Sequence, residues 1–124
     1  MSAKDTQFFL AMRNQIKLFH WQTKLYSRHK ATDSVVDSLD ASIDKYVEVY
    51  MGKYGRMKLN TNTSSFNLKN LSESSILKFI KNCIGYMNST LVQKLKENDT
   101  DLVNIRDEML AELNQLLYLF TLKG

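Results

Sequence analysis

Six side chains recur along the second predicted helix: His29, Asp33, Asp37, Asp40, Asp44 and Glu48, at steps of four, four, three, four and four. On a helix turning about 100° per residue they share an arc of roughly 100°. Carboxylate oxygen and imidazole nitrogen are the donors that hard and borderline metal ions take. The plainer reading of an acidic stripe is a solvated face. Against it, the opposing lysines that lace an exposed helix are missing from this stripe, so like charges meet at i, i+4. That is destabilising unless something positive arrives.

Geometry limits the kind of site. His29 and Asp33 are one turn apart, as are Asp44 and Glu48, and each pair can hold one side of an ion. From Asp33 to Asp44 is eleven residues, roughly 16 Å along the axis. Ligands sit about 2 Å from a metal, so the two pairs of one helix cannot share an ion. A second copy running antiparallel removes the problem, because the midpoint of positions 29 and 48 is 38.5 and so is that of 33 and 44. A dyad near Ser38 and Leu39 sets His29 and Asp33 of one chain opposite Glu48 and Asp44 of the other, twice per dimer. His20, near the end of the first helix at the border of its apolar face, is either a structural histidine or a further nitrogen ligand. Trp21 reads equally as a core aromatic or as the wall of a site.

The elements that position these residues are helical throughout. Phe9, Met12, Ile16, Phe19 and Thr23 recur at three- and four-residue steps and predict a helix over about 4–26, with the chain reversing between about Tyr26 and His29. Val36, Leu39, Ile43, Val47 and Tyr50 predict a second over about 30–51, ending near Gly52 and Gly55. A polar connection follows from Gly55 to Leu71, with room for a short helical turn around Phe66 to Asn70. Ser72 can cap a third helix carrying Ile76, Phe79, Ile80, Cys83, Met87, Leu91 and Leu95. "KENDTD" breaks it, and a fourth helix carries Leu102, Ile105, Met109, Leu113, Leu116 and Phe120. The expected fold is all-α: one domain over 1–124, a four-helix bundle with a long crossover between helices 2 and 3.

Composition sets the outer limits. With 124 residues and 44% hydrophobic content the chain can bury a core without staples. No apolar run approaches the roughly 18 residues of a membrane span, and "MSAKDTQFF" lacks the layout of a signal peptide. The single cysteine, Cys83, reads as a small core residue and suits a reducing compartment, so a cytoplasmic protein is expected. A net charge of +4 is mild and identifies no nucleic-acid binder by itself. There is no glycine-rich phosphate loop, serine elbow or zinc-finger spacing.

Taken together, His20-Trp21, His29-x3-Asp33 and Asp44-x3-Glu48 resemble the ferroxidase signature of the Dps-type mini-ferritins, within the ferritin-like superfamily. The segment "FHWQTKLYSRHKATD…YMGKYGR" also resembles small uncharacterised ferritin-like proteins of phages and large DNA viruses. The resemblance implies a ferritin-like bundle assembling as two-fold dimers into hollow dodecamers, in the cytoplasm, the host cytoplasm or a virion. It implies mono- or di-iron sites between subunits, with zinc as a substitute. His20 and His29 would be imidazole ligands, Asp33 the carboxylate beside them, Asp44 and Glu48 the carboxylates given to the neighbouring chain, and Trp21 the aromatic beside the centre. The gap between the histidines, nine residues, is shorter than is usual in that family and implies a shortened first turn. The family's DNA binding through a lysine-rich tail has little counterpart here, with Lys4 and Lys123 alone at the ends.

The expected activity is therefore oxidation of Fe(II) by peroxide or oxygen, with storage or detoxification of the product. The rival expectation is a non-enzymatic bundle binding a structural metal, a protein partner or DNA. Glu97, Asp99 and Asp101 read either as lining an acidic pore or as a solvated turn with a helix cap. Tyr26, Tyr46, Tyr50 and Tyr54 read as packing residues or as electron sources near the iron.

Overall fold

A computed structural model describes residues 3–59 and 67–123, and all regular structure among them is helical. Four helices follow in order: α1 (Ala3–Gln22), α2 (Tyr26–Tyr54), α3 (Ser75–Asn88) and α4 (Thr100–Leu119). Each buries the apolar stripe that its spacing prescribes. Met12 and Ile16 of α1, Leu39 of α2, Ile76 and Ile80 of α3, and Met109 and Leu113 of α4 have no exposed surface.

Side-chain bonds between helix ends give the direction of each element. Arg28 at the start of α2 donates to the carbonyl of Phe120 beyond α4 at 3.2 Å. At the other end Tyr54 donates to Asp99, which precedes α4, at 2.6 and 2.7 Å. The two helices are therefore antiparallel. Thr23 after α1 donates to Glu73 just before α3, and Tyr86 near the end of α3 donates to Asp5 at the start of α1 at 2.6 Å. So α2 and α3 start at the same end of the bundle, and the connection over 55–74 runs its length. Gln15 pins that connection to α1, donating to the carbonyl of Lys69 at 2.6 Å and accepting its N–H at 3.0 Å. Phe8 stacked on Tyr86, centroids 4.1 Å apart, joins α1 to α3.

Several boundaries differ from the periodicity. The first turn lies at 23–25, earlier than the reversal expected between Tyr26 and His29. Thr23 closes it, since its hydroxyl accepts the N–H of Leu25 at 3.2 Å while donating to Glu73 at 2.9 and 3.0 Å. α2 passes through Gly52 and stops at Gly55, whose φ of 91° suits a residue without Cβ. The helical turn expected around Phe66 to Asn70 is absent over 67–70, and Phe66 lies outside the described residues. α3 begins at Ser75, whose N–H donates to the Ser72 hydroxyl at 3.0 Å. It ends at Asn88, well before "KENDTD", because Leu91 turns back to bond the carbonyl of Tyr86 at 3.0 Å. Leu91 is still buried, from the turn rather than from the helix.

Asp99 faces inward and is fully buried, which removes it from any pore. Lys53 donates to it at 2.7 Å, and the bonds from Lys53 and then Tyr54 pull its carboxyl from an ordinary 3.8 down to about 2. Asp101, exposed, accepts from the same ammonium at 2.7 Å. A carboxyl titrating lower in the folded state stabilises it above the unfolded pKa, and that stabilisation is lost as pH falls toward the folded one. Wild type is expected to lose stability between about pH 4 and pH 2, and Asp99→Asn is expected to be less stable at pH 7 with a flatter acid limb, measured by urea unfolding across pH. Leu113→Ala, which empties a fully buried site, is expected to cost about 2–5 kcal/mol in the same assay.

Candidate functional site

The short first turn brings the two histidines face to face. Their rings stack with centroids 4.0 Å apart and planes inclined by 16°. The Nδ1–H of His20 donates to the carbonyl of His29 at 2.8 Å and approaches the Thr32 hydroxyl at 3.0 Å. In return the Nδ1–H of His29 donates to the carbonyl of His20 at 2.9 Å. A carbonyl only accepts, so in both rings Nδ1 carries the proton and, in the neutral ring, Nε2 keeps its lone pair. The carbonyl of His20 lies in the last turn of α1, where the helix has no donor of its own to offer. The pair thus fastens the turn, and each Nδ1 has the backbone-carbonyl support that metal-ligating histidines often have.

Around this pair the predicted ligands separate into two groups. His20 is 5% exposed, and its Nε2 lies 3.9 Å from Asp33 Oδ1. That is too long for a hydrogen bond and about half an ångström wider than the roughly 3.4 Å between two ligands of one tetrahedral ion at about 2.1 Å. Asp44 and Glu48 are not brought to it. They lie one turn apart on α2, roughly 16 and 22 Å along the axis from Asp33, both exposed and lining a hollow of about 380 Å³ whose walls include Phe9 and Val47. Among the described residues no three His, Cys, Asp or Glu side chains lie close enough to hold a metal ion within one chain.

The stripe is also less naked than α2 alone indicates. Arg13 of α1 grips Asp40 with two bonds, Nε to Oδ1 at 3.0 Å and Nη2 to Oδ2 at 3.3 Å. The cation missing from the helix comes from its neighbour, and only the interhelical packing reveals it. Trp21 is 67% exposed with Lys17 Nζ 5.4 Å from its ring, so it walls no site within one chain. Tyr46 is buried edge-on to Phe9, and Cys83 is buried with its thiol pushed up to about 12 by desolvation, which leaves it inert.

With this geometry in view, the comparison with known proteins is direct. A family of unknown function, DUF5856, matches residues 20–120. The chain belongs to the DUF5856 family. A 37-residue stretch is 49% identical to an uncharacterized 14.6 kDa protein encoded in the mobD-ri intergenic region of Enterobacteria phage T4, covering 30% of this chain and 29% of that protein. No solved structure matches. The assignment to DUF5856 corrects the resemblance to Dps-type mini-ferritins, for neither comparison finds a ferritin-like or Dps relative. The physical reason lies in the helix and the turn. Acids at i, i+4 arise on any strongly acidic helix face, and in this DUF5856 chain the two histidines first serve to join a shortened turn.

His29→Ala removes the donor to the His20 carbonyl and is expected to cost about 1 kcal/mol. Urea unfolding at pH 7 measures it, and His29→Gln, which can still donate, is expected to recover part of the loss.

Proposed function

We propose that the protein takes Fe(II) as its substrate at the His20, His29 and Asp33 cluster, completed by Asp44 and Glu48 of a second copy, and oxidises it with peroxide or oxygen. The observation that carries this reading is the committed Nδ1 of His20, which leaves its Nε2 lone pair 3.9 Å from Asp33 Oδ1, with the His29 ring stacked alongside. Assembly across a dyad near Ser38 and Leu39 would bring the separated carboxylate pair to the imidazoles. The same dyad sets Asp37 of one copy near the Arg13–Asp40 pair of the other, so the guanidinium relieves repulsion where the two acidic stripes meet. The exposed Trp21 and Tyr26, and the hollow beside Asp44 and Glu48, offer apolar surface for such a contact to bury.

Carboxylates offset the charge of the ion and favour its ferric form. Each Fe(II) gives one electron, and a peroxide accepting two electrons and two protons leaves as two waters. The protein contributes ligands, orientation and exclusion of bulk water. Zinc, with the same taste for imidazole and carboxylate, is the natural competitor for the site.

A second reading has its own observation. Since among the described residues no three ligands converge within one chain, the histidines can serve as a turn fastener in a non-enzymatic bundle that binds another macromolecule. One experiment separates the two. Fe(II) is added anaerobically to wild type, His29→Ala and Glu48→Ala, peroxide follows, and ferric absorbance is recorded alongside sedimentation velocity. The expected result is a dimer or larger assembly that accelerates oxidation, with both variants at least about tenfold slower. A strict monomer, or wild type no faster than buffer, defeats the ferroxidase reading.

A further inference from the structure

A second cavity, of about 360 Å³, lies at the end of the bundle away from the histidines. α1 separates the two ends: Asp5, which lines this cavity, and His20 are fifteen residues apart, roughly 22 Å. One wall is a ladder of tyrosines from α2, Tyr46, Tyr50 and Tyr54, spaced one turn apart. Tyr46 is buried, Tyr50 half-buried and Tyr54 more exposed, so the ladder leads from core to surface. Leu91 and Leu95 of the connection between α3 and α4 complete the apolar lining. Lys94 and Lys96, both exposed, supply its cations. Neither lysine forms an ion pair among the described residues; Lys96 Nζ lies 5.3 Å from the Tyr54 ring.

The chemistry of such a slot is definite. Aromatic faces and leucine side chains suit a flat ring, which they can stack and shield from water. Two exposed ammonium groups with no ion pair among the described residues suit an anion carried by that ring. The other charged lining group, Asp5, already accepts the Tyr86 hydroxyl, so the lining has one negative and two positive charges. Asp99 does not line the cavity, and its carboxylate is met behind the wall by the Lys53 ammonium, the Tyr54 hydroxyl and the Lys96 N–H. The volume lies within the range of about 300–1,000 Å³ typical of small-molecule sites. We infer that the tyrosine ladder of α2 and the Lys94–Lys96 pair form a binding site for an aromatic ring bearing a phosphate, a nucleoside monophosphate being the simplest such ligand.

The ring and the anion contribute together, so neither half alone binds well. The tyrosine hydroxyls remain protonated throughout the neutral range, since burial raises the pKa of Tyr46 and Tyr50 and the bond to Asp99 raises that of Tyr54. The wall therefore carries no negative charge toward the phosphate.

Isothermal titration of the whole protein with AMP, adenosine and inorganic phosphate tests the site. Saturable AMP binding is expected below about 1 mM, with adenosine and phosphate each at least about tenfold weaker. Lys94→Ala/Lys96→Ala, both exposed positions, is expected to weaken AMP by about tenfold or more with an unchanged helical circular dichroism spectrum. Tyr50→Leu is expected to weaken AMP while leaving the feeble binding of phosphate unchanged. No saturable AMP binding, phosphate binding as tightly as AMP, or equal AMP affinity in the double lysine variant each overturns the assignment.

Discussion

One buried guanidinium ties three elements at a single end of the bundle. Arg28, 9% exposed, donates to the backbone and side chain of Glu73 ahead of α3 and to the carbonyl of Phe120 beyond α4, with its charge 4.6 Å above the Phe120 ring. A buried charge is costly unless its donors are met, and removing one partner of such a pair typically costs about 3–5 kcal/mol. Here both terminal nitrogens are met, mostly by carbonyls that no helix satisfies, while the buried Nε has no partner among the described residues. Glu73, half-buried, also accepts from Thr23 and from the N–H of Lys24, so the same knot holds the turn between α1 and α2. The stacked histidines follow from that turn, because only a three-residue reversal places the end of α1 beside the fourth residue of α2.

The opposite end is held differently. Lys53, Tyr54 and Asp99 form a charged cluster around one fully buried carboxylate, with the N–H of Lys96 as a further donor at 2.8 Å. The consequence is a rigid corner where α2 finishes, and from that corner Tyr50 and Tyr46 continue toward the core. α2 thus presents three chemical surfaces: an apolar face packed on α1 and α4, an acidic flank met partly by Arg13, and a tyrosine edge at its end. A helix of 29 residues, roughly 43 Å long, can keep such surfaces apart without a second domain.

How much of this was legible in the residues depends on the kind of force involved. The four helices were, because burial every three or four residues leaves a periodic trace, and Met12, Leu39, Ile80 and Leu113 all fell where their spacing put them. The turns were harder. The first turn holds no glycine or proline, and Gly85 in the last turn of α3 lies inside the helix and not at its stop, so a hydroxyl at Thr23 and a backbone bond from Leu91 set boundaries that composition does not mark. For the site, the residue types and the one-turn spacing of the acids on α2 were readable, and the proximity of His20 to Asp33 follows from them once the turn is known. The grip of Arg13 on Asp40 was not readable, since it joins residues 27 apart through packing alone. The inward orientation of Asp99 was hidden for the same reason: an acid in a polar turn reads as solvated until Lys53 is placed beside it.

The acidic flank sets the remaining tension in the molecule. Asp33–Asp37, Asp40–Asp44 and Asp44–Glu48 are like-charge pairs at i, i+4, each unfavourable by about 0.2–0.5 kcal/mol on an exposed helix. Arg13 offsets the middle of the row, while among the described residues no ion pair reaches Asp44 or Glu48 at its far end, where Lys45, three residues before Glu48, is the nearest cation along the helix. Packing of α2 on two neighbours easily carries a penalty of that size, so the fold does not require the stripe to be neutralised. What the stripe does impose is a bias in what approaches: a cation or a positively charged surface gains energy there, and an anion is turned toward the lysines and tyrosines at the end of the bundle. Charge separation along a single long helix is therefore the feature that keeps the two candidate sites chemically distinct.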